Sequence, residues 1–150
     1  MQELNREFRI DGHETGSLSV TVLMRSHNAD DYWDGNWVDS IVDVKAGGFT
    51  GRFGACLRAE EFQSFRDGLA KIDSFESSAA RFETMEGQLS IEIFGDKLGH
   101  LSAKCTALDQ AGIGNRLSFE LKFDQTDLTA IIRGLNLIIS NFPVIGDRNN

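Results

Sequence analysis

Residues 116–128, RLSFELKFDQTDL, decide the fold class, because a strand pattern changes into a helix pattern within this stretch. From Leu117 to Phe123 apolar and polar residues alternate, which indicates a strand with one buried face. Asp124 then has a side chain preferred at a helix N-cap. Beyond it, apolar residues recur at three- and four-residue steps as far as Phe142. The stretch therefore predicts a strand that runs directly into an amphipathic helix.

Strands followed by a helix also occur earlier in the chain. Residues 37–46 and 49–57 are joined by two glycines, which predicts a tight hairpin because both turn residues can adopt positive φ. Apolar residues at helical spacing predict a helix over residues 59–73. Four further strands are predicted at residues 17–25, 79–85, 88–94 and 101–107.

Short connections favour antiparallel neighbours, since a parallel pair needs a crossover of a dozen or more residues. We therefore predict an α+β fold, in which two amphipathic α-helices pack on an antiparallel meandering β-sheet. The length of 150 residues is that of one ordinary domain, and we predict a single domain over residues 1–150. No internal sequence repeat is visible.

The charge balance excludes two classes of partner. Lysine and arginine number 15 against 23 acidic residues, which gives a formal net charge of −8. Nucleic-acid binding depends on basic side chains that neutralise phosphates, and anionic membrane surfaces attract the same side chains. We therefore predict neither a nucleic-acid nor a membrane partner.

Several features predict a cytoplasmic protein. Cys56 and Cys105 lie in apolar strand segments, as free cysteines do in reducing compartments. Residues 1–7 lack the basic and apolar runs of a signal peptide. The most apolar stretch, residues 130–139, contains Arg133 and is too short to span a bilayer.

Motifs for catalysis, metal or cofactor binding are not recognisable. His13, His27 and His100 are scattered, and the chain has no phosphate-binding loop, dinucleotide fingerprint or HExxH motif. An EF-hand fails as well, because a loop counted from Asp30 has Tyr32 at its third position, where an oxygen ligand is needed. We predict no catalytic residue, no metal, no cofactor and no enzyme activity. A pocket that gathers His27 or His100 with a carboxylate would favour an enzyme instead.

An acidic segment with aromatic residues is the candidate partner-binding site. Between Arg25 and Lys45 there is no lysine or arginine, but there are five aspartates: Asp30, Asp31, Asp34, Asp39 and Asp43. Three aromatic residues alternate with them: Tyr32, Trp33 and Trp37. Tryptophan and tyrosine are enriched at interface hot spots, and complementary charge steers association.

We predict that a basic protein partner binds a surface made of Asp30, Asp31, Tyr32, Trp33, Asp34 and Asp39. Two alternatives stay open. The segment is a solvated loop that enters a strand, or Trp33 and Trp37 close one end of the core.

A family resemblance is carried by short segments in a fixed order. They are Asn36-Trp37-Val38, Phe49-Thr50-Gly51, the helix at residues 57–69, Phe82-Glu83, residues 89–93, Gly99-His100-Leu101, residues 117–121 and Asp124-Gln125-Thr126-Asp127-Leu128. In this order, with the junction at residues 123–126 as its most distinctive piece, the chain from residue 37 to about residue 142 resembles the WapI family of bacterial immunity proteins.

The resemblance implies a non-catalytic protein that neutralises a cognate toxin domain by stoichiometric binding and steric blocking. It transfers no catalytic residue and no partner contact. The alternative function is a cytoplasmic protein-binding or structural domain that self-associates through an exposed strand edge. The sequence does not specify the oligomeric state.

Overall fold

The computed structural model describes residues 6–149. These residues form two antiparallel four-stranded sheets, and a long helix follows each sheet in the chain. Sheet A has the order β1 (Glu7–Asp11), β2 (Gly16–Arg25), β3 (Trp37–Ala46), β4 (Phe49–Arg58). A short helix α1 (Tyr32–Gly35) lies between β2 and β3, and α2 (Ala59–Asp73) follows β4. Sheet B has the order β5 (Ala79–Glu83), β6 (Leu89–Gly95), β7 (His100–Leu108), β8 (Arg116–Asp124), and α3 (Gln125–Asn141) follows β8.

The α+β class, the seven predicted strands and the two long helices are confirmed. The strands form two separate meanders instead of one, because α2 intervenes and β4 does not pair with β5. On β8 the predicted alternation is also confirmed, with Leu121 and Phe123 buried and Glu120 and Lys122 exposed. Residues 1–5, which belong to the stretch inspected for a signal peptide, lie outside the described residues.

Sequence analysis missed β1 and α1. β1 has only two apolar residues, Phe8 and Ile10, which is too few to establish a period. It forms a strand because it pairs with β2 and because both side chains are buried where α3 packs on it. α1 has only four residues, and contacts described below hold it in place.

The two halves of the chain repeat one topology and exchange their helices. α2 follows sheet A but packs on β5 of sheet B, whereas α3 follows sheet B and packs on β1 of sheet A. Each helix has a glycine at its tenth residue, Gly68 in α2 and Gly134 in α3. A Cβ on Gly68 would lie 3.0 Å from the Cβ of Ala80, and one on Gly134 would lie 3.0 Å from the Cα of Phe8. Ala80 and Phe8 are the second residues of their strands, so the two contacts are equivalent.

One core joins the two sheets and both long helices. Phe8 of β1, Phe62 and Phe65 of α2 and Phe82 of β5 form a ring cluster with centroid distances of 5.3–6.2 Å. These values are typical of favourable aromatic pairs. Cys105 is also buried, and burial raises the pKa of its thiol to about 12. No helix within residues 6–149 combines the length and the apolar character needed to cross a bilayer.

Candidate partner-binding surface

The third residue of each long helix is an acid that fastens the helix to the other sheet. The Glu61 carboxylate accepts backbone N–H bonds from Arg58 (2.8 Å) and from Met85 (2.7 Å) in the β5–β6 loop. The Asp127 carboxylate accepts the N–H of its own N-cap residue (2.9 Å) and lies 3.1 Å from Nε2 of His13 in the β1–β2 loop. The Glu61–Met85 and Asp127–His13 contacts occupy equivalent places in the two halves of the chain, so the His13–Asp127 pair has a structural role.

The pKa shifts differ between the Glu61 contact and the Asp127 contact. Burial raises the pKa of Glu61 to about 7, although its two backbone N–H donors oppose the shift. The hydrogen bond with Asp127 raises the pKa of His13. For Asp127, burial acts to raise the pKa, but the backbone N–H of its N-cap residue and His13 outweigh it, and the pKa is lowered.

A cleft of about 540 Å³ contains both His13 and His100. Nδ1 of His100 lies 2.7 Å from Asp96, so a carboxylate does accompany this histidine, as the enzyme alternative requires. Its side chain is 74% exposed, however, and within residues 6–149 neither imidazole hydrogen-bonds to a hydroxyl or a thiol. Among the residues that the structure describes, the cleft therefore does not bring together a nucleophile and its base. The described residues also contain no cluster of three or more side chains suited to a metal ion.

The connection between β2 and β3 breaks the repeat. It spans residues 26–36 and includes α1, whereas the equivalent β6–β7 connection has only residues 96–99. The chain after α3 packs on this connection through the buried Asn36, whose side chain exchanges two hydrogen bonds with the backbone of Ile145 (2.9 and 3.0 Å). Arg25 adds bonds to the carbonyls of Gly35 (2.7 Å) and Pro143 (2.5 Å).

Arg58, the last residue of β4, is completely buried beneath α1. Its guanidinium donates to the carbonyls of Tyr32 and Trp33 (2.7 Å each) and to Glu60 (2.5 Å). The rings of Tyr32, Trp33 and Trp37 surround it, with centroids 5.3, 5.5 and 4.8 Å from Cζ. Cation–π contacts of this kind strengthen when they are desolvated. The arginine thus fixes α1 and its aromatic residues on the end of sheet A.

Five of the six predicted site residues gather at α1. Asp30, Asp31 and Asp34 are exposed, and within residues 6–149 none of them forms an ion pair. Asp31 also caps α1 by accepting the N–H of Asp34 (3.0 Å). Tyr32 is half-buried and Trp33 is 43% exposed. Negative charge and an aromatic side chain therefore face solvent together.

The sixth predicted residue, Asp39, lies apart on the outer face of β3. It is half-buried and accepts hydrogen bonds from the Ser26 hydroxyl (2.7 Å) and the Cys56 thiol (3.6 Å). The alternative that Trp33 and Trp37 close one end of the core agrees with the contacts that both rings make with the buried Arg58. Sequence reasoning missed Arg58 as a site residue, because its neighbours in the chain give no sign that aromatic rings cover it.

Comparisons with known proteins give a family and a likeness to solved structures. The family model described as "Immunity protein WapI-like family" matches residues 9–143. No curated protein matches the chain. The chain is similar to the solved structure "Crystal structures of trypanosoma bruciei MRP1/MRP2", with 14% identity, 91% of this chain and 86% of that chain covered, and a TM-score of 0.49.

Proposed function

The chain belongs to the immunity protein WapI-like family, and we propose that it neutralises a cognate bacterial toxin domain by direct, stoichiometric, non-catalytic binding. The observation that carries the proposal is the extent of the family match. It runs from within β1 to beyond the end of α3 and so includes both sheets, both long helices and α1.

The surface at α1 supports this mode of action. Its three exposed aspartates, Asp30, Asp31 and Asp34, have no ion pair within the described residues and lie within three residues of a partly exposed tryptophan. Unpaired carboxylates attract a basic partner, and a fixed aromatic ring supplies contact area at low entropic cost. A standard interface buries about 800 Å² on each partner, and we propose that this surface is its centre. Neutralisation follows because the bound protein covers the toxin domain.

Growth rescue tests the function directly. The C-terminal domain of a large secreted protein encoded beside this chain is expressed alone and together with it. We expect growth arrest by the domain alone and recovery on co-expression. Arrest that persists on co-expression would show that the pairing is wrong.

Charge reversal tests the surface. The double substitution Asp31→Lys with Asp34→Lys is expected to weaken toxin binding at least about tenfold, because like charges facing each other cost several kcal/mol. Asp31→Asn with Asp34→Asn removes the charge while keeping a good helix cap, so its effect separates charge from folding. Glu14→Lys with Asp73→Lys makes the same change in net charge at two other exposed residues. Unchanged affinity in the first variant, measured by calorimetry, would eliminate this surface.

A second candidate function is self-association through β4. This strand has no neighbour on its outer side among the described strands, and Phe49 at its start is 66% exposed. Unpaired strand edges are templates for pairing with another chain. Sedimentation equilibrium distinguishes the candidates: a dimer that Arg52→Pro in β4 dissociates would favour self-association, whereas a monomer would eliminate it.

A further inference from the structure

Trp33 has two guanidinium groups over its ring. Cζ of Arg58 lies 5.5 Å from the ring centroid, and Cζ of Arg148 lies 5.9 Å from it. Arg58 is completely buried, whereas Arg148 belongs to the exposed segment after α3. One guanidinium near the ring is therefore shielded from solvent, and the other is open to it. The solvent side of Trp33 is thus a surface on which an arginine already sits.

Arg148 is held there weakly. Within residues 6–149 it makes no hydrogen bond and no ion pair, so the contact with Trp33 is its principal one. An exposed cation–π contact corresponds to roughly a two- to fivefold change in affinity. The chain is anchored earlier, at Ile145, and Gly146 turns it with φ +74° beside the backbone of Tyr32. Residues 147–149 can therefore leave the ring while this anchor stays in place.

We propose that the solvent side of Trp33, flanked by Asp31 and Asp34, is a binding site for an arginine side chain of a basic protein partner, and that Arg148 occupies this site in the free protein. Arginine suits the site better than lysine because its planar guanidinium stacks on an aromatic ring, whereas the lysine ammonium is a compact, strongly hydrated point charge. The inference deepens the proposed function, on which it rests for the identity of the partner. Arginine binding itself can be measured without a toxin.

Hexa-arginine peptide is the probe, and the indole N–H signal of Trp33 in the ¹⁵N NMR spectrum is the readout, assigned with the variant Trp33→Phe. Arg148→Ala removes the internal occupant and is expected to tighten peptide binding two- to fivefold. Arg116→Ala is the matched control. Arg116 is exposed and lies near Phe49, at the end of β4 opposite Arg58, and its removal changes the net charge by the same amount. This control is expected to leave the affinity nearly unchanged.

Two further measurements complete the test. Hexa-lysine is expected to bind more weakly than hexa-arginine, and Trp33→Leu is expected to remove the preference for arginine. Equal effects of Arg148→Ala and Arg116→Ala, or equal affinities for the two peptides, would overturn the proposal, because both would mean attraction by net charge alone.

The growth rescue separates this proposal from the proposed function. Failure to rescue growth with a positive peptide result would reject the toxin pairing but keep the arginine site. Successful rescue with a negative peptide result would keep the function and reject the site.

Discussion

At the scale of single residues, Arg58 determines where the acidic surface lies. Its side chain is completely buried, but each of its three guanidinium nitrogens donates a hydrogen bond. The acceptors are the Glu60 carboxylate and the backbone carbonyls of Tyr32 and Trp33 in α1. A cation near the last carbonyls of a helix is stabilising, and a desolvated arginine needs such partners. Because α1 is attached to β4 in this way, the exposed aspartates beside it are held in one place.

Replacement of Arg58 is expected to be costly. Arg58→Ala removes a donor from Glu60 and from the carbonyls of Tyr32 and Trp33, of which Tyr32 keeps the Asn36 amide, and it opens space under three rings. The free energy of unfolding should therefore fall by about 3 kcal/mol or more. Urea denaturation followed by tryptophan fluorescence measures the loss. Arg52→Ala is the control, because Arg52 forms an exposed ion pair with Asp43 and its side chain is 69% exposed. Its loss should cost no more than about 1 kcal/mol, and an equal effect of both variants would contradict the role of Arg58.

Glu61 makes the stability depend on pH near neutrality. Its pKa is raised from 4.5 to about 7 in the folded protein, so the folded state binds more protons than the unfolded state between these values. The contribution of Glu61 is therefore fully present below pH 4.5 and is lost as the pH rises through 7, by at most about 3 kcal/mol.

The glutamine side chain in Glu61→Gln cannot titrate. The free energy of unfolding of this variant should therefore fall less steeply between pH 5 and 7.5 than that of the unchanged protein. Asp127→Asn tests the opposite sign below pH 5 only, because it also removes the hydrogen bond that raises the pKa of His13 and so changes the stability near neutrality. The pKa of Asp127 is lowered, so its contribution is present above its usual pKa and is lost in acid. Chemical denaturation at a series of pH values measures both variants, and parallel curves for Glu61→Gln and the unchanged protein would contradict the shift.

At the scale of elements, the two halves use equivalent devices despite their unrelated sequences. In each half a helix begins directly after the fourth strand, has an acid at its third residue and has a glycine at its tenth. The acid fastens the helix to the first loop of the other sheet, and the glycine allows the first strand of that sheet to approach closely. The halves are therefore related by packing geometry, which few residue types are needed to specify.

Gly134→Ala tests the close approach of α3 and β1. A Cβ at this position would lie 2.5 Å from the carbonyl oxygen of Glu7 and 3.0 Å from Cα of Phe8, and both are backbone atoms. Alanine favours a helix by about 1 kcal/mol over glycine, but overpacking costs about 1–3 kcal/mol. We expect net destabilisation, measured as a lower thermal midpoint. Gly51→Ala is the control, since no atom lies within 4 Å of its added Cβ. A raised midpoint in Gly134→Ala would show that the contact is not tight.

At the scale of the whole molecule, the exchanged helices make the two halves depend on each other. Each helix covers the sheet of the other half, and the phenylalanine cluster draws on β1, α2 and β5. Either half alone would expose an apolar sheet face and an apolar helix face. We therefore propose that the chain is one cooperative domain.

A cooperative domain should unfold in one transition. Trp33 and Trp37 both lie in the first half, so tryptophan fluorescence reports on that half, whereas far-ultraviolet circular dichroism reports on both. The two transitions are expected to coincide, and fragments 1–76 and 77–150 are expected not to fold alone. Separate transitions, or a folded fragment, would show two independent units.

Much of the fold follows from the sequence because its signals are local. Seven strands and two long helices have clear periods and end at glycine, proline or capping residues, as residues 116–128 illustrate. β1 was missed because it has only two apolar residues, and its structure depends on α3, which lies more than 100 residues further along the chain. The division into two sheets was missed for the same reason, since pairing between distant strands leaves no local pattern.

The fold class, seven of the strands, the two long helices and the acidic segment with aromatic residues follow from the sequence alone, because periodicity and charge clustering are properties of neighbouring residues. Only the tertiary structure decided what these aromatic residues contact. Arg58 meets Tyr32 and Trp33 across 26 and 25 residues of chain, and Ile145 meets Asn36 across 109. Which distant groups come together depends on how the sheets and helices pack. The burial of Arg58 under three aromatic rings is a result of this packing.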